Sequence, residues 1–168
     1  LAEHILLVGM MGSGKTTVGR ALAAALARPH LDSDEQVEAA TGRTVPEILE
    51  RDGEAAFRAA EKTALATAIA SGDARVVSVA GGAVLDPDNR ERMRQSGTVV
   101  WLRARPETLT DRVGDGAGRP LLAGDVAANL RRLYDERRAL YESVADVVID
   151  VDDLEPDAVV DLIKDALA

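Results

Sequence analysis

The stretch Gly9-Met10-Met11-Gly12-Ser13-Gly14-Lys15-Thr16 constrains this chain more than any other. It follows an apolar run, His4 to Val8, that reads as a short buried strand. It precedes Thr17 to Ala27, where Val18, Leu22 and Leu26 fall on one face of an alanine-rich helix. Strand, glycine-rich loop and helix in that order make a phosphate-binding loop. Glycines let the backbone turn tightly and present successive N–H groups to an anion, a lysine reaches the β- and γ-phosphates, and a hydroxyl is available to Mg²⁺. Gly9, Gly12, Gly14, Lys15 and Thr16 meet those needs, and the helix behind them aims the positive end of its dipole at the phosphates.

The rest of the composition narrows the partners. A length of 168 residues suits one domain, 1–168, able to bury about 70% of its unfolded surface without cross-links. There is no cysteine, and the two histidines, His4 and His30, are far apart in sequence, so disulfides, thiolate zinc sites and a histidine cluster are excluded. A metal would then be held by oxygen, as Mg²⁺ is. A net charge of −9 and 2% aromatic residues oppose sequence-independent binding of nucleic acid. No stretch is long enough to span a membrane and the start lacks the regions of a signal peptide, so a cytoplasmic protein is expected. The first residue, Leu1, is not methionine, which leaves room for trimmed leading residues. No long apolar stripe demands a partner subunit, and a monomer is expected.

Strand-like runs at His30 to Asp32, Arg75 to Ala80, Thr98 to Leu102 and Asp146 to Ile149 alternate with helical patterns. These patterns cover Asp34 to Ala40, Pro46 to Ser71, Pro87 to Gln95, Pro106 to Val113, Gly124 to Glu142 and Pro156 to Leu167, several with proline near the start, where its missing N–H costs nothing. The alternation predicts an α/β fold, a parallel sheet wrapped by helices. Ligands of such sheets collect beyond the carboxyl ends of the strands. The segments to read closely are therefore the phosphate loop, Asp32-Ser33-Asp34, Gly81-Gly82, and Gly114 to Gly124, with Arg119-Pro120-Leu121-Leu122 inside it.

Asp32 and Asp34 could face a metal or a substrate hydroxyl. They could equally belong to a helix start, with Ser33 and Gln36 as a capping box and Asp34 and Glu35 complementing the dipole. The phosphate loop favours function, because phosphoryl transfer needs an acceptor oxygen held in line and a carboxylate for its proton. In Gly53-Glu54-Ala55-Ala56-Phe57-Arg58-Ala59-Ala60-Glu61, Arg58 lies four residues after Glu54 and three before Glu61. Taken alone, that spacing reads as a solvated salt-bridge ladder. Gly81-Gly82 reads as a turn whose N–H groups a ligand can approach. Gly114, Gly116 and Gly118 give the segment before Arg119 the composition of a mobile lid, on which an arginine can close over phosphate.

The order phosphate loop, Asp32-x-Asp34, Gly53-Glu54-x-x-Phe57-Arg58-x-x-Glu61, Gly81-Gly82-Ala83-Val84, Arg119-Pro120-Leu121-Leu122 and Arg137-x-x-Leu140-Tyr141 resembles the shikimate kinase family over nearly the whole chain. The resemblance implies a three-layer P-loop fold like that of nucleoside monophosphate kinases, with a five-stranded parallel sheet of order 2-3-1-4-5. It also implies a helical substrate-binding segment at about 33–61 and a mobile lid at about 114–124. The implied reaction is transfer of the γ-phosphate of ATP to the 3-hydroxyl of shikimate, giving shikimate 3-phosphate and ADP on the route to chorismate and the aromatic amino acids, with one Mg²⁺ per subunit.

Roles follow from the resemblance at matching positions. Gly12, Ser13, Gly14, Lys15, Thr16 and Thr17 would bind ATP, with Lys15 on the transferring phosphate. Thr16 would ligate Mg²⁺ and Asp32 would hold it through water. Asp34 would bind ring hydroxyls and orient or deprotonate the attacking one. Arg58 and Arg137 would grip the substrate carboxylate beside Gly81 and Gly82. Arg119 would arrive with the lid and Arg112 would lie against the adenine. Guanidinium forks at one end and a carboxylate at the other suit a carboxylated, hydroxylated ring. The chain departs from the family pattern at Ala80, where a third glycine is usual, at Ala139, where proline is common, and near Asp153-Leu154-Glu155-Pro156, which lacks an arginine sometimes found there. Alternatives are a kinase of gluconate or another small polyol acid, a nucleoside monophosphate kinase, and a nucleotide-binding module without catalysis. The segment Asp34 to Glu61 offers few base-recognition groups, and Lys15, Thr16, Asp32, Asp34 and Arg119 are all present, which weighs against the last two.

Overall fold

The computed structural model describes residues 3–70 and 72–168, so Leu1, Ala2 and the expected helix end at Ser71 lie outside the described residues. The chain runs β1 (His4–Val8), α1 (Lys15–Ala25), β2 (His30–Asp32), α2 (Ser33–Thr41), α3 (Val45–Asp52), α4 (Glu54–Ile69), β3 (Val76–Ser78), α5 (Pro87–Ser96), β4 (Gly97–Arg103), α6 (Pro106–Val113), α7 (Val126–Val144), β5 (Val147–Asp150) and α8 (Pro156–Leu167). Single 3₁₀ turns occupy Ala83–Leu85 and Pro120–Leu122.

All pairings in the sheet are parallel and the strand order is β2-β3-β1-β4-β5, as expected. The central strand β1 is buried on both faces, which its uninterrupted apolar sequence requires. Leu7 is in register with Ser78 on one side and Val100 on the other. Helices α1 and α8 pack together against the sheet, while α5 and α7 pack on β4 and α4 joins them through α5. One apolar core fills the space between these layers. The topology switches direction at β1, so the loops after β1, β2 and β3 share one crevice.

The predicted helix Pro46 to Ser71 is two helices. Gly53, at φ 86° and ψ 172°, breaks it in a conformation that a side chain would disfavour. Thr44 and Glu47 form a reciprocal capping box that starts α3. The break folds α3 back on α4, and Val37, Ile48, Phe57 and Ala64 form a small core of their own beside the main one. Other boundaries move less. Helix α1 begins at Lys15 rather than Thr17, and α7 at Val126 rather than Gly124, where the Asp125 carboxylate accepts from the Ala128 N–H. Strand β3 ends at Ser78 rather than Ala80 because the Ala80 N–H leaves the ladder for the Ser33 hydroxyl. Among the described residues no helix is long and apolar enough to cross a membrane.

Candidate active site

The carboxyl ends of β1, β2 and β3 open into a cleft of about 560 Å³. Gly12, Gly14, Lys15, Thr16, Thr17, Asp32, Asp34, Arg58, Gly81, Gly82, Arg112, Arg119 and Arg137 all line it. Ser13 is buried beneath the loop instead, with no hydrogen-bond partner for its hydroxyl among the described residues.

At one end the cleft is backbone. Gly14 occupies the N-cap of α1 in the left-handed conformation and no side chain caps that helix. Its first N–H groups therefore face the cleft as donors without protein acceptors, a geometry that suits an oxyanion. The Lys15 ammonium folds over the loop, donating to the carbonyls of Gly9 at 2.7 Å and Met10 at 3.0 Å. Burial pushes its pKa down to about 8, opposed by Asp34 and Asp32 and assisted by the charges of Arg119 and Arg137.

Asp32 divides its two oxygens between the two roles its sequence position suggested. Oδ1 caps α2, accepting from the N–H groups of Asp34 and Glu35, and Oδ2 accepts from the Thr16 hydroxyl at 2.6 Å. The expected Ser33–Gln36 capping box is not formed. Ser33 is fully buried and its hydroxyl accepts from the Ala80 N–H at 2.8 Å, so α2 is tied to the turn after β3 and Asp32 takes over as cap. The Thr16–Asp32 pair offers two oxygen donors beside the phosphate loop, and no group of three or more metal-ligating side chains occurs among the described residues. That fits Mg²⁺, which takes one or two protein ligands and fills its remaining positions with phosphate and water.

At the other end the cleft is made of side chains. Asp34 projects from the first turn of α2 with Oδ1 buried and unpartnered, and burial, followed by Asp32, raises its pKa. Arg58, on α4, donates to both oxygens of Glu61 at 3.0–3.1 Å and to Glu54 at 3.3 Å. The predicted ladder is thus present, but only its Glu54 arm is solvated, with that side chain 56% exposed: Glu61 is 1% exposed, and burial raises its pKa to about 7. Arg137, on α7, is 2% exposed. Both guanidinium groups converge on the glycine pair. A Cβ on Gly82 would overlap the Arg58 guanidinium, and one on Gly81 would sit 3.5 Å from Arg137 Nη1. Each arginine keeps a buried, unpartnered Nε. Val45, Leu49 and Phe57 form an apolar wall beside them.

The segment after α6 brings Arg119 to the mouth of the cleft, while buried Leu122 anchors it to the main core. Arg112 bridges the Gly12 carbonyl and the Val151 carbonyl, at 3.3 and 2.9 Å. It therefore joins the phosphate loop to the loop after β5. Ala139 lies exposed within an unbroken α7. Two residues of the quoted motifs, given no site role by the sequence, also line or hold the site. Glu61 shares a helical face with Phe57, Ala64, Leu65 and Ala68, and the Tyr141 hydroxyl donates to the Gly81 carbonyl at 2.6 Å. A charge inside an apolar stripe was the available signal for Glu61, as it was for Arg137 among Leu130, Leu133, Tyr141 and Val144.

Comparison with known proteins identifies the family and the fold. The shikimate kinase family model matches residues 11–168. A shikimate kinase from Symbiobacterium thermophilum is 51% identical, over 89% of this chain and 87% of its own length. The structure of a shikimate kinase from Acinetobacter baumannii in complex with shikimate superposes with a TM-score of 0.95 at 37% identity, covering 99% of this chain and 93% of that one. A gluconokinase from Sinorhizobium meliloti, at 21% identity and a TM-score of 0.58, covers 95% of this chain and 87% of its own, and shares the fold alone. On this match the chain belongs to the shikimate kinase family.

Proposed function

We propose that this chain transfers the γ-phosphoryl group of ATP to the 3-hydroxyl of shikimate, releasing ADP and shikimate 3-phosphate. The observation that carries this reading is the meeting of Arg58 and Arg137 at the Gly81–Gly82 turn, in the cleft that Asp34 and the phosphate loop also line. An acceptor bearing one carboxylate and several hydroxyls matches that arrangement, with forked guanidinium donors for the carboxylate and a carboxylate for the hydroxyls.

In this reading the amides of Gly12 to Thr17 and the Lys15 ammonium hold the triphosphate. Thr16 and, through water, Asp32 would hold a single Mg²⁺, whose positive charge would offset that of the phosphates. Arg58, Arg137 and the glycine amides seat the carboxylate, so the ring hydroxyls face Asp34. Asp34 takes the hydroxyl proton as the new O–P bond forms and the bond to the ADP oxygen breaks. Its raised pKa, a consequence of burial, brings it closer to a proton acceptor's working range than a solvated aspartate. Segment 33–61 carries the acceptor, and segment 114–124 acts as the lid that brings Arg119 over the phosphates and excludes water. Arg112 supports the adenine side. The enzyme works as a single unit over 1–168, cytoplasmic and monomeric.

An ADP-release assay offering shikimate, gluconate and nucleoside monophosphates in parallel tests the reading. Turnover is expected with shikimate and only background with the others. Preference for gluconate or a nucleotide would overturn it.

A further inference from the structure

Two glycines in succession leave the peptide between them free to rotate, since neither residue has a Cβ to restrict it. In the acceptor end of the cleft that peptide is Gly81–Gly82. A trans peptide points its C=O and N–H in opposite directions, so whatever fixes the Gly81 carbonyl also aims the Gly82 N–H. The Tyr141 hydroxyl, completely buried on α7, donates to that carbonyl at 2.6 Å. The N–H groups of Gly81 and Gly82 donate to no acceptor among the described residues, and both glycines line the cleft. Arg137 stands one helical turn before Tyr141, so a single face of α7 supplies both a guanidinium and the group that sets the turn.

We propose that Tyr141 is a positioning residue whose hydroxyl latches the Gly81–Gly82 peptide in one orientation, keeping the Gly82 N–H aimed away from α7 for the carboxylate of the acceptor. The ring itself packs on Trp101, with centroids 5.7 Å apart, and that packing does not need the hydroxyl. Burial raises the phenol's pKa to about 12, so it stays a donor throughout the working pH range. The Ser33 hydroxyl holds Ala80 from the opposite side of the turn, and Arg58 occupies the space a side chain on Gly82 would need. The turn is thereby held by hydrogen bonds from α2 and α7, and Tyr141 is the member that acts on the glycine–glycine peptide itself.

This inference rests on the acceptor being shikimate, and the test separates the two. Tyr141→Phe keeps the ring and removes one hydroxyl. The shikimate KM is expected to rise about fivefold to tenfold, as the bond to Gly81 and the hydroxyl's contact with Arg137 are lost together, with the MgATP KM unchanged. Tyr134→Phe, the same deletion at the chain's other tyrosine, should change neither. A folded Tyr141→Phe enzyme whose shikimate KM stays within about twofold of the parent, or whose two KM values rise together, overturns the latch. A second measurement needs no variant: in the unsubstituted protein, adding shikimate without nucleotide should move the Gly82 amide proton resonance downfield, and an unmoved resonance overturns the latch as well. If the parent chain phosphorylates no shikimate at all, the functional reading fails and the latch with it.

Discussion

At its phosphate end the cleft takes its amides from one uninterrupted stretch, Gly9 to Thr16, whereas its acceptor end is assembled from Asp34 on α2, Arg58 on α4, Arg137 on α7 and the backbone of the turn after β3. The first needs local conformation only: the chain turns, α1 starts without a cap, and free N–H groups remain. The second needs the whole fold, because Asp34 and Arg137 are separated by most of the chain yet line one cavity. The contrast shows how one fold can keep a common phosphate site while its acceptor changes. Backbone amides read charge, and side chains on separate elements read shape.

The sharpest division between the ends is chemical. Asp34→Asn preserves size and removes the proposed proton acceptor, so turnover should fall by about 10²–10⁴ in the ADP-release assay while ATP affinity by calorimetry is retained. Near-normal turnover would remove Asp34 from its role. A second pair of variants separates the ends sterically. Gly82→Ala forces the Arg58 guanidinium aside and should raise the shikimate KM about tenfold with MgATP unaffected. Gly14→Ala places a side chain at φ 92°, a backbone conformation disfavoured by about 1–2 kcal/mol, and should do the reverse by displacing the loop from that conformation. Equal effects of both variants on both substrates would dissolve the distinction.

Charge states give smaller, pH-dependent differences. Lys15, with a pKa of about 8, loses its proton above that value in the free enzyme. The kcat/KM for MgATP should therefore fall as pH rises past about 8, since it reports free-enzyme pKa values. The kcat/KM for shikimate at saturating MgATP should hold to higher pH, because bound phosphate keeps the ammonium charged. Glu61 acts on stability. Its pKa is raised from 4.5 to about 7 in the folded chain, so the folded state binds more protons than the unfolded one between those values. That contribution is complete below 4.5 and is lost as pH rises through 7. The melting temperature of the parent minus that of Glu61→Gln should fall between pH 5 and pH 8 by about 4 °C or more. A difference independent of pH would show that Glu61 is as solvated as its spacing from Arg58 suggested.

The same contrast governs what could be read from the sequence. The phosphate loop was legible because its physics is contiguous, and the strand order followed from family resemblance. The split at Gly53 was not, since helical periodicity continues on both sides and only the small core of Val37, Ile48, Phe57 and Ala64 requires the fold-back. The Ser33 cap was misread because its hydroxyl answers to Ala80, a residue 47 positions away. Glu61 resembled a surface partner by spacing, and its burial depends on α4 packing over the cleft. Local signals specify caps and loops, while burial decides which of them a side chain obeys.

Under the proposed activity, guanidinium groups from α4 and α7 meet on one anionic acceptor beside the triphosphate. Calorimetric titration of shikimate into Arg58→Ala and Arg137→Ala, each checked for intact ATP binding, measures this directly. Each substitution should weaken shikimate binding by about 2–5 kcal/mol, the loss expected when one partner of a buried charge pair is removed. Unchanged shikimate affinity in either variant would contradict the account.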